Sequence, residues 1–152
     1  MPEAATNDSV AERLRASGMR VTSTRLAVYG ELLDAGHLDA DGVAERVRER
    51  LGGVSRQTVY DALRVLCELE LVRRIEPAGS PAALYETRVA DNHHHVVCRR
   101  CGAVTDVDCA TGAAPCLDAS ATHGFVIDEA EVTFWGLCPA CQNRQPEETS
   151  AP

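Results

Sequence analysis

Apolar residues in the first half of the chain recur at helical spacing in four successive segments. The first opens on Ser9, which heads a capping box with Glu12. The third opens on Asp39 and the fourth on Ser55, residue types that favour helix N-caps, and glycines follow the first three segments. Within the segments, apolar side chains return to one helix face every three or four residues. The pattern predicts four helices, within residues 9–17, 22–36, 39–53 and 55–70.

Two β-prone runs follow the last predicted helix, at residues 71–77 and 82–89, and the turn-forming stretch "PAGSPA" joins them. This composition predicts a two-stranded hairpin. Helices with a tight turn into the last one, followed by a hairpin, are typical of a winged helix-turn-helix domain. We therefore expect a DNA-binding domain at residues 9–86.

The pattern changes near residue 91. Residues 93–108 and 124–138 resemble strands, and residues 115–124 between them predict a helix that ends at Gly124. We expect a second, small α/β domain at residues 93–144, a linker at 87–92, and flexible tails at 1–8 and 145–152. The predicted fold class is α+β, with the winged helix first and the small α/β domain second.

Charge is distributed unevenly along the 152 residues. The formal net charge of −8 argues against nucleic acid, but all fifteen basic residues are Arg, and eleven of them lie in residues 9–76, where eleven acids balance them. Residues 77–152 hold four Arg against ten acids. An Arg-rich face can therefore still meet phosphate. Because the sequence shows neither a signal peptide nor an apolar run of membrane-spanning length, we expect a soluble, cytoplasmic protein without membrane partners.

Four of the seven cysteines form two Cys-x-x-Cys pairs, separated by 36 residues: Cys98, Cys101, Cys138 and Cys141. Four thiolates at this spacing favour Zn²⁺ in a closed, structural site. The alternative is two unrelated pairs, either reduced or redox-active. Thiol oxidoreductases use a single pair at a helix start, and metallohydrolases keep an open zinc position, so an enzyme is not expected.

The segment "DNHHHVVCRRCG", residues 91–102, places three histidines before the first cysteine pair. On a strand His93 and His95 point to one face and His94 to the other. With Glu86, Asp91 and Asp106 nearby in sequence, they would form a nitrogen and oxygen site suited to Fe²⁺ or Mn²⁺. Solvated surface histidines are the alternative, and from the residues alone His37 is a helix-end residue.

Taken together, the segments "GMRVTSTRLAV", "GHLDADGVAERV", "VSRQTVYDALRVLCELELV", "LYE", "HHHVVCRRCGAVTDV" and "GLCPAC" resemble the ferric uptake regulator family of metal-dependent bacterial repressors. The resemblance spans residues 18–141. It implies a homodimer that binds double-stranded, A/T-rich and palindromic operator DNA. It also implies a regulatory Fe²⁺ or Mn²⁺ ion held by residues from both domains: His37, Glu86, His93, His95 and Asp106.

The resemblance also implies how DNA is bound. The helix that starts at Ser55 would enter the major groove, with Gln57, Thr58 and Tyr60 near phosphates and base edges. Arg20 matches a basic residue that reaches the minor groove in the family. Tyr60 could instead be a core aromatic residue, because its helical position fits both roles.

The signal is implied less directly. Asp106 and the sequence around the histidines resemble those of an actinobacterial, peroxide-responsive group that controls catalase-peroxidase genes. We therefore predict peroxide sensing through iron. Glu86 is typical of iron regulators, and an iron-responsive repressor of iron-uptake genes is the alternative. A thiol switch through Cys109 and Cys116 is a further alternative, whereas Cys67 is predicted to be a small core residue.

Overall fold

The computed structural model describes residues 6–77, 79–89, 93–108, 121–126 and 132–144. The chain divides into two compact units, Met1–Asp91 and Asn92–Pro152, which we call unit one and unit two. Within the described ranges, no helix combines the length and apolarity needed to cross a bilayer. The predicted helix at residues 115–124 lies largely outside these ranges, and residues 121–124, its described part, are not helical.

Unit one contains four helices, each preceded by a side chain that caps its free backbone N–H groups. Ser55 accepts a hydrogen bond from the Thr58 N–H at 3.1 Å, and Asp39 accepts one from the Gly42 N–H at 2.7 Å. The first helix begins two residues earlier than predicted, because Thr6 rather than Ser9 is its N-cap. The helices are α1 (Asn7–Ala16), α2 (Ser23–Ala35), α3 (Ala40–Leu51) and α4 (Arg56–Glu68).

The apolar faces of these helices form one buried core. Leu33 and Leu51 lie outside this core and are 40% and 39% exposed. Leu33 directly follows the buried Leu32, and one helical residue turns the side chain by about 100° away from it; Leu51 is the last residue of α3. The core consists of Val10, Leu14, Ala27, Val28, Tyr29, Leu32, Val43, Ala44, Val47, Val59, Ala62, Leu63, Val65, Leu66, Leu71 and Val72.

The predicted hairpin is present, and a third short strand extends it. Strands β1 (Leu38–Asp39), β2 (Arg73–Ile75) and β3 (Leu84–Glu86) form an antiparallel sheet in the order β1-β3-β2. Leu38 pairs with Tyr85, and Arg73 pairs with Glu86. Helices followed by this sheet make unit one a winged helix-turn-helix domain, as the sequence predicts.

Unit two is built on a second three-stranded sheet. Its strands are β4 (His94–Cys98), β5 (Val104–Val107) and β6 (Thr133–Gly136), in the order β5-β4-β6. β4 pairs antiparallel with β5 and parallel with β6. A short helix, α5 (Pro139–Gln142), follows β6. The central strand therefore carries the histidines at its start and Cys98 at its end.

Candidate metal centres and DNA-binding surface

The four predicted cysteine ligands converge in unit two. One ligand atom from each of Cys98, Cys101, Cys138 and Cys141 lies within 4.8 Å of all the others. The sulfur atoms of Cys101 and Cys138 are 3.7 Å apart, and a tetrahedron with Zn–S bonds of about 2.3 Å places its sulfurs about 3.8 Å apart. The cluster predicted from the sequence is confirmed, and its four sulfurs fit a closed tetrahedral zinc site.

Backbone hydrogen bonds to sulfur favour a thiolate in this cluster, and the thiolate is the form that binds a cation. The Cys138 N–H donates to Cys98 Sγ at 3.3 Å, and this bond together with one from the Cys101 backbone lowers the pKa of the Cys98 thiol to about 6. Burial and the neighbouring Cys138 thiol raise the pKa of Cys141 to about 12. Arg100 donates to the backbone oxygens of Cys141, at 2.6 Å, and Arg144, and so joins the two cysteine pairs.

The sheet of β1, β3 and β2, which we call the wing, brings His37 and Glu86 together in unit one. Leu38 pairs with Tyr85 in antiparallel register, so His37, one residue earlier, lies opposite Glu86, one residue later. His37 Nε2 is 2.8 Å from Glu86 Oε2, and their side chains are 9% and 2% exposed. Arg73 pairs with Glu86 from the other strand, with Nε 4.0 Å from Oε1. The carboxylate is thus flanked by an imidazole and a guanidinium group.

Unit two brings His93, His95 and Asp106 together. His95 and Asp106 are direct cross-strand partners, and their Nε2 and Oδ1 atoms are 3.6 Å apart. His93 precedes His95 by two residues; its Nε2 is 3.8 Å from the same oxygen, and the two imidazole rings are 4.8 Å apart. His94 packs edge-on near Phe134. All three histidines are buried, so the surface-histidine alternative is wrong.

These imidazole and carboxylate groups form two donor sets, one in each unit. Both offer nitrogen and oxygen atoms and no thiolate, which suits Fe²⁺ or Mn²⁺ rather than exclusively Zn²⁺. In each set a histidine nitrogen faces a carboxylate oxygen across a pair of strands. The described side chains therefore fit the metal class predicted from the sequence.

The N-terminal turn of α4 exposes the residues expected at DNA. Ser55, Gln57 and Thr58 are exposed, and the Gln57 amide donates to Asp61 at 3.1 Å. Tyr60 is 38% exposed, so the core-aromatic alternative is wrong, and its hydroxyl donates to Asp41 at 2.8 Å. Arg20 is also exposed. This surface offers hydroxyl, amide and guanidinium groups to a duplex.

Three residues near these sites were not predicted from the sequence: Asp41, Arg56 and Arg73. Arg56 NH1 lies 3.1 Å from Asp41 Oδ1, although the two residues belong to different helices. Such pairs depend on helix packing and strand register, which local spacing does not report. Side chains alternate between the two faces of the sheet along β2, and this alternation is the one sequence signal that places Arg73 on the same face as Glu86. Cys109 and Cys116, the candidate thiol switch, lie outside the described residues.

Comparison with known proteins identifies the family. The model of the ferric uptake regulator family matches residues 16–135. The transcriptional regulator FurA of Mycobacterium tuberculosis is 54% identical over 131 residues, covering 86% of this chain and 88% of that protein. Ferric uptake regulation protein 2 of Mycolicibacterium fortuitum is 53% identical over 135 residues, covering 86% and 90%.

A solved structure extends the likeness to the fold. The Helicobacter pylori ferric uptake regulator, described as having three functional metal-binding sites, aligns with a TM-score of 0.71 at 20% identity over 95% of this chain and 99% of that chain. Proteins named for peroxide response are more distant: the Bacillus subtilis peroxide operon regulator is 27% identical over 140 residues, covering 88% and 92%. The names of the more similar relatives thus favour the iron-responsive alternative, and peroxide sensing stays a prediction.

The winged helix, the four-cysteine cluster and the two nitrogen–oxygen donor sets are thus accompanied by a family match over most of the chain. Members of this family are dimeric, DNA-binding transcriptional regulators and not enzymes. This chain belongs to the ferric uptake regulator family.

Proposed function

We propose that this protein is an iron-responsive repressor that acts in the cytoplasm as a homodimer on A/T-rich, palindromic operator DNA. Its DNA-binding element would be α4 with the wing, and its signal would be Fe²⁺, for which Mn²⁺ can substitute. The naming of the more similar relatives supports iron over peroxide.

The observation that carries this proposal is the division of the ligands. Glu86 lies on a wing strand of the DNA-binding unit, and His37 directly precedes another. In unit two His95 and Asp106 lie on the sheet, and His93 directly precedes β4. A bound divalent cation would supply the positive charge that lets imidazole and carboxylate groups of both units share one site. Ligands drawn from both units would couple metal occupancy to the orientation of the winged helix, and hence to DNA affinity.

Each side chain has a defined part in this mechanism. Glu86 is a buried carboxylate that His37 and Arg73 flank, so its charge is held in place before metal binds. Asp106 faces two imidazoles in the same way. The four-cysteine site takes no part in sensing, since all its ligands belong to unit two; its role is to hold the end of β4 in position.

The test is a fluorescence-anisotropy titration of a labelled duplex, selected from a random library by the Mn²⁺-loaded protein. We expect DNA binding to require Mn²⁺ or Fe²⁺ and to be lost with a chelator that leaves the zinc in place. H37A and H95A should each raise the Mn²⁺ concentration needed at least about tenfold, because outer-shell changes alone have effects of about 10- to 100-fold. Replacing the exposed His123 in the same way is the control. DNA binding that is indifferent to divalent metal would contradict the proposal.

Peroxide sensing is a second candidate function, supported by Asp106, the carboxylate that matches the peroxide-responsive group. Mass spectrometry after H₂O₂ treatment of Fe²⁺- and Mn²⁺-loaded protein separates the two functions. For an iron-responsive repressor we expect no oxidation of the ligand histidines. One oxygen added to His37, His93 or His95 with iron only would favour peroxide sensing, and oxidation confined to Cys109 and Cys116 would favour the thiol switch.

A further inference from the structure

A single carboxylate oxygen joins the first turns of two helices in the DNA-binding unit. Asp41 Oδ1 accepts a hydrogen bond from the Tyr60 hydroxyl at 2.8 Å and from Arg56 NH1 at 3.1 Å. Asp41 lies in the first turn of α3, and Arg56 and Tyr60 lie four residues apart on α4. Residues four apart on a helix share one face, so both donors reach the same acceptor.

This carboxylate is exposed: the side chains of Asp41 and Arg56 are 61% and 62% exposed, and Tyr60 is 38% exposed. An exposed ion pair contributes little to stability. Asp41 nevertheless contacts Arg56 and Tyr60 near the start of α4, the helix proposed to enter the major groove, where a negative charge opposes the phosphate backbone. A negative charge that is unfavourable for DNA binding at this position is best explained by a role in recognition.

We propose that Asp41 is a positioning and specificity-determining residue for DNA recognition, an inference that rests on the proposed function. In the free protein it fixes the Tyr60 ring and the Arg56 side chain in one arrangement before DNA arrives, which reduces the conformational entropy lost on binding. On random DNA Arg56 exchanges the carboxylate for a phosphate, and the uncovered charge of Asp41 then repels the backbone, whereas at the operator the arrangement on Asp41 is retained.

The repulsion therefore differs between random DNA and the operator, and it does not cancel in their affinity ratio. At the operator, α4 gains base contacts, while on random DNA affinity comes almost entirely from phosphate contacts. Asp41 therefore weakens random binding relative to operator binding. Discrimination of this kind depends on a repulsive element as well as on attractive contacts.

The test compares D41N with the wild type, both full-length and Mn²⁺-loaded. Asn retains an oxygen that accepts from Tyr60 and removes the charge. Anisotropy titrations on the selected duplex and on a scrambled duplex of equal composition, at several salt concentrations, give the affinity ratio. We expect D41N to lower that ratio about tenfold, chiefly through tighter random binding. The slope of log K against log salt on the scrambled duplex should steepen by about one.

E68Q is the matched control, because Glu68 pairs with Arg64 at 2.7 Å in the same helix but at its far end. It should change neither the ratio nor the salt slope. D41A removes the acceptor as well, so it should also weaken operator binding. Y60F keeps the ring but removes the hydroxyl that donates to Asp41, so it should reproduce the part of this loss that depends on that hydrogen bond. Equal ratios and slopes for D41N and wild type, or a change confined to melting temperature, would overturn the inference. If the wild type selected no duplex at all, the proposed function would fail together with this inference.

Discussion

Different interactions stabilise the interior of each of the two units of this protein. Unit one buries a continuous set of aliphatic side chains from all four helices. Among the described residues of unit two, the buried hydrophobic residues are Val97, Cys98 and Cys141, and two of these belong to the zinc cluster. A small domain with little apolar core requires another cross-link. Within the described residues, a zinc ion held by the four cysteines would supply in unit two what hydrophobic burial supplies in unit one.

The largest expected effect is loss of the zinc site. C138S should abolish zinc binding and the cooperative unfolding of unit two, since structural Zn²⁺ contributes about 10–16 kcal/mol of apparent binding free energy in small zinc peptides. The chain has one Trp, Trp135 on β6, so its fluorescence reports unit two alone. Helical circular dichroism should be largely retained. C67A is the control, because Cys67 packs against the core of unit one. Native Trp135 emission in zinc-free C138S would contradict the comparison.

A core substitution should give the reverse result. L32A should destabilise unit one by about 2–5 kcal/mol, because Leu32 is fully buried. Urea unfolding followed by helical circular dichroism should shift, while zinc content stays at one ion per chain. L33A removes the same atoms from the next residue, which is 40% exposed, and should change stability by about 0.5 kcal/mol or less. Equal effects of the two substitutions would show that the assigned core is wrong.

The smallest effect concerns the phenol of Tyr60. Its hydrogen bond to Asp41 raises the pKa of Tyr60 above the ordinary value of 10.0. The folded state favours the neutral phenol, so this contribution is complete below pH 10 and is lost as pH rises through the folded-state pKa. D41A should lower the pKa of Tyr60 toward 10, measured as a difference in tyrosinate absorbance. Zinc removal should leave the pKa of Tyr60 unchanged, because all four zinc ligands lie in unit two.

The sequence predicted most of the fold because its signals are local. Capping residues such as Ser55 and apolar periodicity fix helix positions, and Cys-x-x-Cys pairs fix the zinc ligands. The site was less accessible: His37 alone was expected to be a helix-end residue, and only the family resemblance added it to the ligands. Its place opposite Glu86 depends on β1, a strand of two residues that no periodicity can reveal.

Strand β4 has a consequence for how the protein can fail. Its five residues begin with His94 and His95 and end with Cys98, about 10 Å beyond His95 at the usual rise per residue. Any agent that removes zinc from the four-cysteine site would also loosen β4, the strand that carries His94 and His95. For the proposed iron-responsive repressor, zinc starvation would then mimic iron starvation: genes kept silent by an intact protein would be expressed in iron-rich cells, although no iron ligand had been changed.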